Sequence, residues 1–137
     1  MLHHISIIHT DDFLKFSSDG TLDFKEAIRI LDEASSVLNS QDYCSIIIDT
    51  RKAQSALSYG DLFHLSLELF RHGMTFRRRT AILCPQERLA DGDFFATLCG
   101  NRGLDVSVFV SYEEAMDWLT NKTAIVFCQD NALLVNN

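Results

Sequence analysis

The chain has 137 residues, of which 47% are hydrophobic, and its formal net charge is −7 at pH 7. This length and apolar content suit one domain with a single core, which buries roughly two-thirds of the surface of the unfolded chain. The negative charge argues against nucleic acid as a partner, because it would repel the phosphate backbone. The single basic cluster is the run 77–79, which we interpret as a solvated rim leading into a strand in preference to an anion site.

Targeting signals and cysteine usage bear on the compartment. The amino terminus lacks the pattern of a signal peptide, and no run reaches membrane-spanning length, so we expect no transmembrane segment. The four cysteines, Cys44, Cys84, Cys99 and Cys128, are widely spaced and form no CxxC motif. We therefore expect a reduced, cytoplasmic protein without a bound metal or cofactor.

The first part of the chain predicts a hairpin followed by a helix. Two apolar runs at 5–9 and 13–17, separated by three polar residues, indicate two antiparallel strands joined by a turn. Asp23 and Glu26 have the spacing of a capping box, and apolar residues then recur at helical intervals as far as Leu38. The predicted helix covers 24–38.

Three further strands alternate with amphipathic segments of helical length. The strands are predicted at 44–49, 80–84 and 106–109 from short apolar runs rich in β-branched residues. Three helices are predicted, from Ser58 to Gly73, from Asp91 to Cys99 and from Ser111 to Leu119. This order predicts an α/β domain with a mixed, mostly parallel sheet of about five strands and about four helices.

The helix that begins after Ser58 has more apolar surface than one contact with a sheet requires. One face carries Leu62, Leu65 and Leu69, and another carries Phe63, Leu67 and Phe70. We therefore expect this helix either to be deeply buried or to form part of an interface.

The domain is predicted to span 1–121, and 122–137 form a C-terminal extension. An extra strand is predicted at 123–128 within this extension. It could pair with the edge of its own sheet or with that of another subunit, and the second arrangement predicts a homodimer.

Several familiar functions of parallel-sheet proteins are not supported. The first strand leads into another strand, and neither a Rossmann glycine motif nor a P-loop occurs. Asp11, Asp12 and Asp49 suggest the acidic pocket of a receiver domain, but Cys84 stands where Ser or Thr is expected, and no lysine closes the strand ending at Phe109. The sequence does not place any histidine within hydrogen-bonding reach of a nucleophile such as Cys84 or Ser58. We therefore expect no enzymatic activity.

Four segments resemble a known family. The strand that ends in Asp49-Thr50-Arg51, the helix start Ser58-Tyr59-Gly60-Asp61, and the stretches 101–109 and 111–119 are similar to those of SpoIIAA-like proteins. These proteins are relatives of the STAS domain, which is the fold of bacterial anti-sigma-factor antagonists. The resemblance covers 5–119 and implies a bacterial, non-enzymatic regulatory domain whose partner is another protein.

The resemblance assigns a candidate phosphoacceptor. In STAS regulators, the first serine of an Asp-Ser-Ser-Gly-like motif is phosphorylated at a helix N-terminus, and Ser58 occupies the matching place here. Leu57 and Tyr59 depart from that motif. A phosphate would meet backbone N–H groups and the positive end of the helix dipole, whereas the structural alternative is a serine that only caps the helix.

Asp49 and Arg51 form a second candidate site, because ligands of open α/β sheets bind beyond the carboxyl ends of the strands. Asp49 could accept hydrogen bonds from the following loop and leave Arg51 to bind an anion or a carboxylate of a partner. Alternatively, the two side chains form an internal pair that ties down the loop. The sequence does not separate these alternatives.

The sequence thus predicts a regulatory or protein-interaction module of the anti-sigma-antagonist type. Its contact surface is predicted at 56–63, with Ser58 as a switch, Tyr59 and Asp61 as further contacts, and Asp49 and Arg51 nearby. The alternative is a carrier that binds a small apolar ligand between the sheet and the helix over 62–70.

Overall fold

A computed structural model describes residues 3–6, 13–39, 45–72 and 79–120 of the chain. Seven strands are assigned within them: β1 (His3–Ser6), β2 (Phe13–Ser18), β3 (Thr21–Leu22), β4 (Ser45–Asp49), β5 (Gln54–Ser55), β6 (Arg79–Leu83) and β7 (Val106–Phe109). The four α-helices are α1 (Phe24–Asn39), α2 (Tyr59–Arg71), α3 (Leu89–Asn101) and α4 (Tyr112–Leu119), and a 3₁₀ turn spans Gln86–Arg88.

The main sheet has five strands in the order β1-β2-β4-β6-β7. β1 pairs with β2 in antiparallel fashion, and the other three pairings are parallel. The register brings Ser17, Asp49, Leu83 and Phe109 to one level across the sheet, so four strands present their carboxyl ends at the same edge. β3 and β5 form a separate two-stranded parallel ladder.

The alternation of side chains along β4 divides the core into two layers. Ile46 and Ile48 face a larger cluster that includes β2, α1, α2 and α3, whereas Ile47 packs with Ala81, Leu83, Ala115 and Leu119 beneath α4. All three isoleucines are buried. Three helices therefore cover one face of the sheet, and α4 covers part of the other.

The predicted caps at Asp23 and Ser111 are present as hydrogen bonds. The backbone N–H of Glu26 donates to Asp23 (2.8 Å), and that of Glu114 donates to Ser111 (3.2 Å). At the end of α3, Gly103 adopts a left-handed φ of 84° while the N–H of Leu104 donates to the carbonyl of Cys99. A residue with a Cβ is strained at this φ, which explains the glycine.

The predicted architecture is confirmed, with local differences. β1 lies at His3–Ser6, so the strand predicted at 5–9 begins earlier than expected, and 7–12 lie outside the described residues. α3 is longer than predicted by two residues at each end. β3, β5 and the 3₁₀ turn were not predicted, because they are too short to show a hydrophobic period.

The predicted end of α2 at Gly73 and the predicted C-terminal strand at 123–128 lie outside the described residues. The homodimer based on that strand therefore stays a prediction. No α-helix in the described part of the chain has the length and hydrophobicity needed to cross a membrane.

Gly92 lies where α3 packs tightly against β7. A Cβ at this position would lie 2.7 Å from Cγ1 of Val108 and 3.5 Å from Sγ of Cys84. We expect Gly92→Ala to lower the free energy of unfolding by about 1–3 kcal/mol, because the stiff valine cannot move aside without shifting the helix. Urea denaturation followed by circular dichroism measures this change.

Gly100→Ala is the matched control, since its added Cβ would meet nothing within 4 Å. This variant should be neutral or more stable by up to about 1 kcal/mol, because alanine favours the helix over glycine. Equal effects of the two substitutions would contradict close packing at Gly92.

Candidate functional site

The carboxyl edge of the sheet leads directly into the loop between β4 and α2. Thr50 follows β4 and is anchored twice to the neighbouring strand, since its backbone N–H and its hydroxyl both donate to the carbonyl of Leu83, each at 2.8 Å. Thr50 is buried, so these bonds are shielded from water. They fix the point at which the loop leaves the sheet.

Asp49 and Arg51 form an internal pair at this point. Nε and Nη2 of Arg51 donate to the two carboxylate oxygens of Asp49 at 3.0 and 2.9 Å, and the backbone N–H of Arg51 donates at 3.0 Å. Nζ of Lys15 lies 3.8 Å from the same carboxylate. The sequence left open whether Arg51 binds a partner or pairs with Asp49. The structure shows the internal pair, which ties down the loop.

The pair also sets the ionisation of its members. Burial opposes the charge on Asp49, but the hydrogen bonds and charge of Arg51, helped by Lys15, outweigh it and lower the pKa of Asp49 below 3.8. The same bonds raise the pKa of Arg51. A role of these residues in binding a partner stays a prediction, and it would require a partner to compete with three hydrogen bonds.

Arg88 holds the rest of the loop. Its Nη2 donates to the carbonyls of Thr50 (2.7 Å) and Ala53 (3.0 Å). The loop is also paired with the β3 segment, because the N–H groups of Gln54 and Ala56 donate to the carbonyls of Gly20 and Leu22. The guanidinium of Arg88, in the turn before α3, therefore anchors a loop that is 35 or more residues away in sequence.

An apolar cavity of about 120 Å³ lies behind this loop, between the sheet and helices α1, α2 and α3. Most of its wall is aliphatic or aromatic, and it includes Leu22, Ile30, Ile48, Leu62, Leu65 and Phe95. Polar side chains occur at Thr50, Ser55, Cys84, Arg88 and Asp91. The cavity therefore lies beside the carboxyl edge of the sheet, where open α/β folds bind ligands.

The two cysteines in the described residues are buried thiols and are not paired in a disulfide. Burial raises the pKa of Cys84, which lines the cavity, and raises the pKa of Cys99 to about 12. Both are protonated at neutral pH, which makes them poor nucleophiles. Among the described residues, no group of three His, Cys, Asp or Glu side chains is placed to hold a metal ion.

Ser58 is the N-cap of α2 and completes a reciprocal capping box. Its hydroxyl accepts a hydrogen bond from the backbone N–H of Asp61 (3.0 Å), and the Asp61 carboxylate accepts one from the N–H of Ser58 (2.9 Å). Ser58 is exposed. The Asp61 carboxylate is thus held beside Ser58, on the backbone N–H of the serine itself.

An exposed aromatic face continues from this cap. It consists of Tyr59, Phe63 and Phe70 on α2 and Phe94 on α3, which are 63%, 42%, 55% and 38% exposed. The rings of Tyr59 and Phe94 are 5.1 Å apart, and the guanidinium of Arg102 lies 5.3 Å above the ring of Phe63. The adjacent face of α2 is buried through Leu62, Leu65 and Leu69.

The structure therefore separates the sequence-predicted residues into two groups. Ser58, Tyr59 and Asp61 lie together at the start of α2, whereas Asp49 and Arg51 bind each other at the end of β4. Sequence reasoning did not identify Phe94 or Arg88 as functional residues. The sequence places Phe94 in a helix but does not show that its side chain is exposed, because exposure depends on which side of α3 packs on the sheet. Arg88 had no local signal at all.

The comparisons with known proteins address the fold. No family model and no curated protein sequence matches this chain. Among solved structures, the anti-sigma factor antagonist SpoIIAA in its unphosphorylated form is similar over 88% of this chain and 97% of its own, with a TM-score of 0.59 and 18% sequence identity.

Two further structures agree with this result. The Bacillus cell fate determinant SpoIIAA in its phosphorylated form matches 86% of this chain and 99% of its own, with a TM-score of 0.54 and 19% identity. An uncharacterised DUF3478 protein with a SpoIIAA-like fold from Shewanella loihica PV-4 matches 86% and 92%, with a TM-score of 0.53 and 19% identity. The chain has the SpoIIAA-like fold, as the sequence resemblance implied.

The Asp49–Arg51 pair should make stability dependent on pH. Folding lowers the pKa of Asp49, so the ionised carboxylate stabilises the native state at pH values above the unfolded value of 3.8. This stabilisation is lost as the pH falls from 3.8 through the lower pKa of the folded state. We expect Asp49→Asn to cost about 1 kcal/mol at pH 7, since the pair is partly exposed, and to cost progressively less as the pH falls below 3.8. Urea unfolding across pH 2–7 measures this difference.

Glu33→Gln provides the control, because its pair with Arg29 lies on the exposed surface of α1. Its cost should stay below about 0.5 kcal/mol at every pH. A constant deficit of Asp49→Asn down to pH 2 would show that lost packing, not lost charge, destabilises the variant.

Arg88 should control the opening of the loop over 50–57. We expect Arg88→Ala to accelerate amide hydrogen exchange at Gln54 and Ala56 by about tenfold, because two charge-assisted hydrogen bonds to the loop are lost. Exchange at Ile47 in the buried β4 should change much less. The control is Arg29→Ala on α1, and unchanged exchange at Gln54 and Ala56 in Arg88→Ala would contradict this role.

Proposed function

We propose that this protein is a non-enzymatic regulatory module that binds another protein through the start of α2 and the aromatic face beside it. The carrying observation is the exposure of Tyr59, Phe63, Phe70 and Phe94 next to a hydrogen-bonded, exposed Ser58. Exposed aromatic side chains clustered on one face are typical of protein interfaces.

The similarity of the fold supports the same type of function. One structural neighbour is described as an anti-sigma factor antagonist, and another is a phosphorylated form of the same kind of protein. We infer for this chain a partner of that regulatory class, in the bacterial cytoplasm. The buried, unpaired thiols of Cys84 and Cys99 are in keeping with a reducing compartment.

Ser58 is proposed as the switch of this surface. A phosphate adds about −1.5 to −2 charges, and here it would be attached within hydrogen-bonding distance of the Asp61 N–H while the Asp61 carboxylate is held against the Ser58 N–H. The two anions would repel each other. Modification would therefore displace Asp61 from the cap and change the charge of the surface that begins at Tyr59.

The test is affinity purification of the tagged full-length chain from its own host, with quantitative mass spectrometry. Any recovered protein is then purified and its dissociation constant is measured for the variants. We expect Tyr59→Ala or Phe63→Ala to weaken binding at least tenfold, as is usual for an interface aromatic residue. Lys25→Ala, an exposed change on α1, should leave the affinity unchanged.

Ser58→Ala and Ser111→Ala form a matched pair for the switch. Both serines cap a helix by accepting a hydrogen bond from a backbone N–H, so both changes should cost about 1 kcal/mol of stability. Only Ser58→Ala should abolish phosphorylation by a co-purified kinase and its effect on binding. A partner that binds wild type, Tyr59→Ala and Phe63→Ala equally would refute this surface.

The apolar cavity supports a second candidate function, that of a carrier for a small apolar ligand. Its wall is almost wholly aliphatic and aromatic, and it opens beside the loop that Arg88 holds. This function and the protein-binding function use different, adjacent faces of α2. Native mass spectrometry of protein isolated from its own host tests the carrier function, and retention of a bound small molecule is the expected result.

A further inference from the structure

Three of the polar side chains in the wall of the cavity, those of Thr50, Ser55 and Arg88, take part in hydrogen bonds within the protein. The hydroxyl of Thr50 donates to the carbonyl of Leu83, and Nη2 of Arg88 is shared between two carbonyls of the loop. The hydroxyl of Ser55 accepts a hydrogen bond from the N–H of Leu57 (3.3 Å). A charged group brought into the cavity would have to break these bonds to replace its lost hydration.

The charges around the cavity also oppose an anion. Asp91 contributes to the lining together with Arg88. The pKa of the Cys84 thiol in the wall is raised mainly by burial, and the positive charge of Arg88 partly opposes this rise. The negative charges of Asp93, Asp91 and Glu87 raise the same pKa further. A carboxylate or phosphate in the cavity would meet the negative charge of Asp91 in the wall, while Nη2 of Arg88 is already hydrogen-bonded to two carbonyls of the loop.

The size of the cavity limits the ligand further. An engineered apolar cavity of about 150 Å³ accepts a benzene molecule and stays dry without it. The cavity here is about 120 Å³, so it accommodates one ring or a short branched chain and is too small to enclose a long acyl chain.

We propose that this cavity is a binding site for an uncharged, compact apolar group, of the size of one small ring or a short branched alkyl chain. The proposal rests on the carrier function given above as the second candidate and narrows its ligand to one chemical class. An ionised group inside the cavity is disfavoured by the cost of its desolvation and by the charge of Asp91, and a long acyl chain would extend beyond the volume of about 120 Å³.

The experiment compares two ligands of the same shape. The full-length protein, labelled at its methyl groups, is titrated with toluene and with benzoate at pH 7 and observed by NMR. We expect toluene to shift the methyl resonances of Ile30, Ile48 and Leu65 in a saturable manner, with a dissociation constant on the order of 1 mM, as suits so few atoms. Benzoate should bind at least tenfold more weakly.

A cavity-filling variant locates the binding. Ala27 lines the cavity, and Ala27→Leu places three more carbon atoms in it, so the saturable shifts caused by toluene should disappear. Ala90→Leu adds the same atoms on the exposed surface of α3 and should bind toluene like the wild type. Circular dichroism verifies the fold of both variants, and the toluene and benzoate comparison on wild type decides the proposal if Ala27→Leu does not fold.

The outcomes separate this proposal from the function on which it rests. Equal or tighter binding of benzoate would overturn the ligand class while leaving a carrier of acidic molecules. Absence of saturable toluene binding would overturn the proposal, and if native mass spectrometry then shows a retained ligand, the carrier function stands with a different ligand class. Toluene binding that persists in folded Ala27→Leu would place the ligand elsewhere and would also overturn it.

Discussion

Burial of β4 on both faces is the constraint on which the rest of the structure depends. Ile46, Ile47 and Ile48 pack alternately against the two layers, and β4 is paired in parallel with a strand on each side. A strand with no solvated face tolerates no slip in register, because a shift by one residue would exchange the two sets of contacts. The parallel pairing then places the carboxyl ends of four strands at one edge and directs Thr50 and the following loop over the three-helix layer.

Helix α2, which follows this loop, contacts both the hydrophobic core and the solvent. Leucines on one face of α2 pack into the core and line the cavity, and aromatic residues on the adjacent face are exposed to solvent. The same helix start carries Ser58, whose cap couples the conformation of the exposed face to the end of the loop. The two proposed sites therefore share one helix, with the leucines of α2 at the cavity and its aromatic residues at the exposed face.

The sequence predicted the local parts of this site well and the non-local parts poorly. The caps at Asp23, Ser58 and Ser111 depend on residues three apart, and such short-range patterns are readable without the fold. The pairing of Asp49 with Arg51 was one of two alternatives, because two residues alone do not show whether water, a ligand or the neighbouring side chain satisfies the guanidinium. The tie from Arg88 to Thr50 spans 38 positions and left no pattern in the sequence.

The sequence by itself determined the type of fold, since alternating apolar runs and capped amphipathic segments permit few arrangements, and it determined that α2 has two apolar faces. Only the tertiary structure decided which face is buried, because that depends on the position of α3 and the sheet relative to α2. It also decided that the loop at 50–57 is held from a distance and that a cavity lies behind it. A cavity is a mismatch between the surfaces of separate elements, and such a mismatch has no counterpart in the sequence of any one of them.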